Sequence, residues 1–426
     1  MEYISVRGGR KLQGEVSLCG AKNSILPLLC ATILVEGKTV FDNCPNLSDV
    51  RLSCKILNTL GVQAQLCGKK ITCINKGSIK GGVSHEMMSG MRSSITFLGP
   101  LLAKNGRVRM YYPGGCKLGE RPVDIHIEIM KALGAVCSSN GDEIEFEAAD
   151  GLRGADITLR FPSVGATENA IMAACTAKGK TKIIGAAREP EIRDLIDYLC
   201  KCGAAILTEE DGTISIDGVK ELRGTKHSVI PDRILAATVM SAVCVAGGRV
   251  HVRGAVCGDM VSIFKRFKKA GAEIEIQENG FWISMTKTPR KISQTICAPH
   301  PFFPTDAGPL LAAVLAYSDK KSEIYDSVFE NRFFFAKELE KFGFVAKSNG
   351  RTLCTARGET LDCARVMATD LRAGAALVCA ALAITGQTKV FGAEHIDRGY
   401  EALEELLRSL GADTWRQEEY DERLSK

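Results

Sequence analysis

The sequence predicts an α/β protein of two domains, each made of three copies of one module of about 70 residues. Three observations carry that reading: a six-fold glycine signature, an apolar helix roughly 40 residues ahead of each glycine, and a length that accommodates two cores. The signature is Leu60-Gly61-Val62, Leu133-Gly134-Ala135, Cys202-Gly203-Ala204, Ala270-Gly271-Ala272, Phe342-Gly343-Phe344 and Leu410-Gly411-Ala412. Successive glycines lie 73, 69, 68, 72 and 68 residues apart. Such a glycine ends a helix at positive φ, and the apolar residue after it opens a strand.

The six apolar helices are read in chain order at 25–32, 95–102, 170–176, 235–245, 310–316 and 373–384. A helix apolar on every side is a buried one, and 373–384 falls well short of the about 20 residues a membrane span needs. Each module thus reads as buried helix, strand, loop, amphipathic helix, Gly, strand pair. Three modules per domain put a crossing near 228–232. A first strand at 3–18 completes the other domain, with a second crossing near 19–23. The expected division is 22–229 for one domain and 1–21 plus 230–426 for the other, with a substrate cleft between them.

Composition narrows the class. The chain has 426 residues, 45% hydrophobic and 25% charged, with a formal charge of +5 and a mean hydropathy of +0.02, which excludes disordered and fibrous proteins. Aromatics are only 6% and not interleaved with a basic stripe, so no nucleic-acid partner is expected. The first residues hold no long apolar stretch, so neither export nor a membrane anchor is expected. Seventeen scattered cysteines with no C-x-x-C pair write neither a disulfide framework nor a zinc site; a reduced cytoplasm fits, with most thiols serving as small buried hydrophobes. There is no P-loop and no dinucleotide glycine fingerprint, and neither cofactor nor metal is expected.

Function is sought where the buried helices begin. Those starts read Ala21-Lys22-Asn23, Met91-Arg92-Ser93, Ser163-Val164-Gly165, Pro231-Asp232-Arg233, Pro304-Thr305-Asp306 and Asp370-Leu371-Arg372. A helix N-terminus offers unpaired N–H groups and about half a positive charge. Ser and Asp there serve as caps. Lys22, Arg92, Arg233 and Arg372, recurring at one topological position, point instead to an anionic small molecule. The loop Tyr112-Pro113-Gly114-Gly115-Cys116-Lys117-Leu118-Gly119-Glu120-Arg121 places a thiol among cations on a glycine-rich segment, which reads as a lid. Asp306 follows a proline-stiffened loop, as a cap or as a base; Arg398 is a surface ion pair or an anion clamp.

These residues, taken together, resemble the UDP-N-acetylglucosamine enolpyruvyl transferases of the enolpyruvyl transferase family. The resemblance runs from Leu12-Gln13-Gly14-Glu15-Val16 to His395-Ile396-Asp397-Arg398-Gly399-Tyr400-Glu401. It is carried by Gly20-Ala21-Lys22-Asn23, Pro113-Gly114-Gly115-Cys116, Arg121-Pro122-Val123-Asp124, Ser163-Val164-Gly165-Ala166-Thr167, Phe329-Glu330-Asn331-Arg332-Phe333 and Met367-Ala368-Thr369-Asp370-Leu371-Arg372. It implies two inside-out α/β barrels of three repeats each. The implied reaction moves the enolpyruvyl group of phosphoenolpyruvate to the sugar 3′-hydroxyl through a tetrahedral ketal, the first committed step of peptidoglycan synthesis.

By the same resemblance, Cys116 donates a proton, Asp306 deprotonates the hydroxyl, and Lys22 joins them in catalysis. Lys22, Asn23, Arg92, Arg121, Arg372 and Arg398 hold phosphoenolpyruvate. The uridine falls to Arg121, Pro122, Val123, Asp124 and Ile125, the diphosphate to Phe161, Pro162, Ser163, Val164 and Gly165, and the amino sugar to Asn23, Asp306 and Val328, with Arg92 completing the wall. The sequence departs from the family's usual pattern at Lys117, Phe161 and Leu235. Shikimate-3-phosphate enolpyruvyl transfer and a non-catalytic sugar-nucleotide-binding paralogue are the competing readings. Oligomeric state is not written in the sequence.

Cations beside Cys116 favour its thiolate, below the reference of about 8.5, whereas a proton donor needs the thiol. Bound phosphoenolpyruvate offsets those cations, so a thiol titration is expected to give a higher pKa with the ligand than without it. Equal values overturn this account.

Overall fold

The computed structural model describes residues 1–112 and 123–419. Among the described residues six helices are largely buried: Lys22–Ala31, Leu98–Asn105, Val164–Ala174, Arg233–Ala246, Gly308–Leu315 and Leu371–Ala381. Every residue from Ile234 to Val245 is buried, as is all of Gly308–Leu315. The second helix begins at Leu98, after the position read from sequence, and the fifth at Gly308, before it; 3-10 turns at Arg92–Phe97 and Thr305–Ala307 lead into them. Pro100 and Pro309 sit in the first turns of those α-helices, where a residue without an N–H is tolerated, and the residues before them wind more tightly.

All six signature glycines are left-handed, with φ of 108° at Gly61, 93° at Gly134, 104° at Gly203, 113° at Gly271, 91° at Gly343 and 99° at Gly411. An L-residue with a Cβ would be strained at each. The helices they end are amphipathic. In Ser48–Leu60 the buried residues Val50, Cys54, Ile56, Leu57 and Leu60 form one stripe.

Among the described residues the strands form six sheets, three in each of two compact units. One unit holds residues 1–19 and 231–419, the other 20–112 and 123–230, and each has its own continuous core. The third module shows the plan. Asp156–Thr158 runs parallel to Lys180–Ile184, with the buried helix Val164–Ala174 joining them. Lys180–Ile184 then pairs antiparallel with Ile214–Asp217, which pairs with Ala205–Thr208 after Gly203. The short leading strand is an addition to the module read from sequence; Gln294–Cys297 and Arg365–Met367 play the same part elsewhere. The architecture is mixed α/β, and among the described residues no sheet closes on itself by hydrogen bonds.

The expected single strand at 3–18 is two strands in two sheets. Glu2–Arg7 lies antiparallel between Gln387–Phe391 and Asp413–Glu418, supplying the strand that the sixth module lacks. Leu12–Ser17 runs parallel to Gly248–Arg253. The break falls where a Cβ on Gly8 would stand 2.2 Å from the Ile384 carbonyl oxygen and where Gly9 takes φ of 96°.

In the unit that begins the chain, the helices Arg233–Ala246, Gly308–Leu315 and Leu371–Ala381 pack on one another. In the other, Asn169 ties three elements together. Its Oδ1 accepts from Gly99 N (2.7 Å), its Nδ2 donates to the Ile95 carbonyl (2.9 Å), and the same amide meets His126 Nδ1 (2.9 Å). No helix among the described residues is long and apolar enough to cross a membrane.

Two buried titratable groups in this second unit give it a pH dependence. Burial pushes His126 down to about 4, against the pull of Asp124. Burial, then Glu191 and Glu189, push Glu168 up to about 8. Between 4 and 6.5 the unfolded chain holds the extra His126 proton, so that contribution grows with pH and is complete above 6.5. Between 4.5 and 8 the folded chain holds the extra Glu168 proton, so that contribution shrinks as pH rises. Above pH 6.5 only the second slope remains of these two. Urea unfolding is therefore expected to show the wild type losing about 2 kcal/mol from pH 6.5 to 8 relative to Glu168→Gln. Parallel pH profiles for the two proteins would refute this.

Candidate active site

The helix starts differ in how their N–H groups are served. Ser163 Oγ accepts from Ala166 N (3.4 Å), Asp232 Oδ1 from Ile234 N (2.7 Å) and Leu235 N (3.0 Å), and Asp370 Oδ1 from Arg372 N (2.9 Å) and Ala373 N (3.1 Å). These are the caps that the residue types predict. The starts at Lys22, at the Arg92 turn and at Thr305–Ala307 have no side-chain cap.

Lys22 opens its helix with a cation at the positive end of the dipole, and its side chain is 9% exposed. Asp49, 5% exposed in the first turn of Ser48–Leu60, places Oδ2 2.8 Å from Lys22 Nζ. Burial of either charge alone would be strongly unfavourable; together they are held. Asn23, the next residue, is exposed.

Val123 is buried and precedes Asp124–Ala132; Ile125 is half-buried. The Asp124 carboxylate pairs with Arg160, which also reaches Glu128 (2.7 Å). Phe161, Pro162, Ser163, Val164 and Gly165 form a half-buried run into the third buried helix. Thr167 secures that run, donating to the Ser163 carbonyl (2.8 Å) and accepting from Ala187 N (3.0 Å).

In the other unit Asp306 is not a cap. Its Oδ1 accepts from Arg332 Nη2 (2.8 Å), and its Oδ2 lies 3.2 Å from both Nε and Nη2 of Arg372. Both guanidiniums are almost wholly buried, at 2% and 1%, whereas the Asp306 carboxylate is 24% exposed. Burial works against the Arg372 charge, but Tyr400, Asp306 and Asp232 more than offset it and hold the guanidinium protonated. Arg372 also lies over the Tyr400 ring at 5.3 Å, and Tyr400 Oη meets Thr238 Oγ1 (2.9 Å). Nη1 of Arg372 has no hydrogen-bond partner among the described residues. The result is a fixed, partly open carboxylate backed by two cations, a geometry suited to binding a hydroxyl and taking its proton.

The EPSP synthase (3-phosphoshikimate 1-carboxyvinyltransferase) family profile matches residues 6–407. UDP-N-acetylglucosamine 1-carboxyvinyltransferase 2 of Caldanaerobacter subterraneus subsp. tengcongensis is 40% identical over 413 residues, 97% of this chain and 99% of that one. The UDP-N-acetylglucosamine 1-carboxyvinyltransferase of Finegoldia magna is 40% identical over 415 residues, 97% and 98% of the two chains. The chain belongs to the UDP-N-acetylglucosamine 1-carboxyvinyltransferase family. Its fold is shared by the enolpyruvyl transferase NikO of Streptomyces tendae (TM-score 0.88, 23% identity, 97% and 98% covered) and by an EPSP synthase of Acinetobacter baumannii (0.74, 17%, 98% and 100%).

Within this 1-carboxyvinyltransferase chain, Cys116, Arg121 and Pro122 lie outside the described residues, as does the side chain of Arg92. The structure joins Asp306 to Arg372. Arg398 is half-buried, and its neighbour Asp397 is held by Arg416 in a fork of 2.8 and 2.6 Å. Val328 is half-buried, its N–H on Asp326 Oδ1 at 2.8 Å. Leu235 is a buried core residue of Arg233–Ala246. Sequence reasoning assigned no role to Asp49, Arg332 or Asp326. Arg332 stood inside the Phe329–Phe333 motif, but nothing local marked Asp49 or Asp326. No group of three or more His, Cys, Asp or Glu among the described residues is placed to hold a metal.

A double-mutant cycle tests the Lys22–Asp49 pair. Asp49→Leu leaves a buried ammonium and is expected to cost about 3 kcal/mol, much of it recovered when Lys22→Met is added. Additive losses would show that the two charges do not depend on each other.

Proposed function

We propose that the chain transfers the enolpyruvyl group of phosphoenolpyruvate to the 3′-hydroxyl of UDP-N-acetylglucosamine, releasing phosphate. The carrying observation is the family membership over 97% of the chain, joined to a carboxylate pinned between two buried guanidiniums at a helix start. In the addition step the hydroxyl proton passes to Asp306, the sugar oxygen bonds to C2 of phosphoenolpyruvate, and Cys116 protonates the C3 methylene. In the elimination step C3 loses a proton, the double bond re-forms and the C2–O bond to phosphate breaks. Lys22, Arg121 and Arg398 hold phosphoenolpyruvate, with Arg92 and Arg372 beside them. Residues 121–125 take the uridine, 161–165 the diphosphate, and Asn23, Asp306 and Val328 the amino sugar. Deleting a preorganised charge of this kind typically costs about 3 kcal/mol of transition-state stabilisation. The proposal places the enzyme in the cytoplasm, in bacterial peptidoglycan synthesis, needing no cofactor and open to alkylation at Cys116 by fosfomycin.

Phosphate release from phosphoenolpyruvate decides the matter. Release that requires UDP-N-acetylglucosamine and falls at least 100-fold in Cys116→Ala is the expected result. Release driven by shikimate 3-phosphate instead would assign the other acceptor. Tight sugar-nucleotide binding with no release would mark a non-catalytic paralogue.

A further inference from the structure

Asp326 ends the strand Ser322–Asp326 and is wholly buried. A buried carboxylate persists only when its lone pairs are filled. Here Oδ1 accepts from Val328 N and Phe329 N, both at 2.8 Å. Oδ2 accepts the Thr305 hydroxyl and lies 3.9 Å from Arg332 Nε. The Thr305 oxygen in turn accepts from Arg332 Nε at 3.1 Å. Having donated its proton to Asp326, that hydroxyl presents a lone pair to Arg332.

The consequence is a guanidinium fixed on several sides. Its Nε edge is set by Thr305 and Asp326, and its face lies over the Phe329 ring at 4.6 Å, on a backbone that Asp326 itself holds. Only then does Nη2 reach Asp306 Oδ1 at 2.8 Å. Charge follows the same path. Arg332 is divided between two carboxylates, Asp306 and Asp326, while Arg372 faces Asp306 and Asp232. Tyr400 packs against Arg372, Arg351 reaches the Asp326 carbonyl, and the Cys297 thiol, which also feels Arg266, lies close to Asp326 and Arg332.

We infer that Asp326 is a positioning residue for the Asp306 carboxylate, acting through Thr305 and Arg332. The inference rests on the reading of Asp306 as the group that takes the sugar hydroxyl proton. Asp326 holds the guanidinium in place and neutralises part of its charge, so that Asp306 is oriented yet still basic.

Asp326→Asn keeps the shape and removes the charge. Its kcat is expected to fall about 10-fold to 100-fold with both KM values within threefold, since an interaction behind the acceptor acts on the chemical step. With both guanidiniums left to act on Asp306, its ionised form is favoured. The acid limb of the kcat profile therefore moves to lower pH, by about half a unit or more. Asp326→Glu, which restores the charge, returns that limb toward its wild-type position. A purely structural role would lower kcat and leave the limb unmoved, and that result overturns the inference. Should Asp326→Asn not fold, Thr305→Val removes the connecting hydroxyl without removing charge; wild-type kcat in that variant also overturns it. Carboxyl-carbon NMR titration of Asp306, assigned with Asp306→Asn, gives a readout independent of turnover. A midpoint displaced downward by Asp326→Asn supports the coupling even if the wild type transfers nothing, in which case the transferase reading alone falls. An undisplaced midpoint defeats the coupling whatever the turnover.

Discussion

A buried helix cannot leave its first N–H groups to water, and the described residues include six such helices. The structure meets that demand in two ways. Ser163, Asp232 and Asp370 serve the N–H groups directly, and their helices are ordinary in this respect. The starts at Lys22, Arg92 and Asp306 carry no side-chain cap, and the Lys22 and Asp306 side chains meet ionic partners instead, Asp49 for the first and Arg332 and Arg372 for the second. A cap uses up only its own side chain, so Arg372, beside the cap Asp370, is as much a charge to spare as Lys22 beside Ala21. Of the residues given roles in the proposed chemistry, Lys22, Asn23, Arg92 and Asp306 fall on uncapped starts, and Ser163, Val164, Gly165 and Arg372 on capped ones.

Spare charges near a core must still be compensated, and two schemes are visible. Lys22 pairs with the carboxylate of Asp49, donated by the neighbouring amphipathic helix. Asp306 sits in a network: two guanidiniums, a second carboxylate behind one of them, and a tyrosine against the other. A single pair resists burial by mutual attraction, but it fixes one distance and leaves rotation free. A network with a hydroxyl, a ring face and backbone N–H groups fixes orientation as well. A proton acceptor needs orientation more than an anion-binding ammonium does, and the more elaborate scheme surrounds the carboxylate.

The modular plan was legible because its marks are local. A glycine at positive φ and a largely apolar buried helix are each set within a dozen residues, and all six of both are present among the described residues. The burial of Cys30, Cys44, Cys73, Cys175, Cys244 and Cys379, with burial pushing every one of these thiols up, fits the expectation of cysteines used as small hydrophobes. What escaped is nonlocal. Three-residue strands such as Asp156–Thr158 exist because a partner strand lies alongside, and the split at Gly8 exists because the Ile384 carbonyl is in the way. Asp49 and Asp326 look in sequence like any acidic residue at an element's edge. Asp306 posed a choice between cap and base, and only the placement of Arg332 and Arg372 removes the first option.

The six starts are not independent of one another. Within the unit that begins the chain, three helices pack together, and the residues at their starts lie within electrostatic reach. Asp232, the cap of Arg233–Ala246, helps hold the charge of Arg372 at the start of Leu371–Ala381, and Arg372 in turn grips Asp306 ahead of Gly308–Leu315. One carboxylate therefore caps its own helix and stabilises a cation on another. That coupling follows from packing the buried helices of three modules on one another, which brings Asp232, Asp306 and Arg372 at their starts within reach of each other. A repeated fold of this kind gathers charge at its helix starts, and variation at a few of them is enough to give the gathered charges different roles.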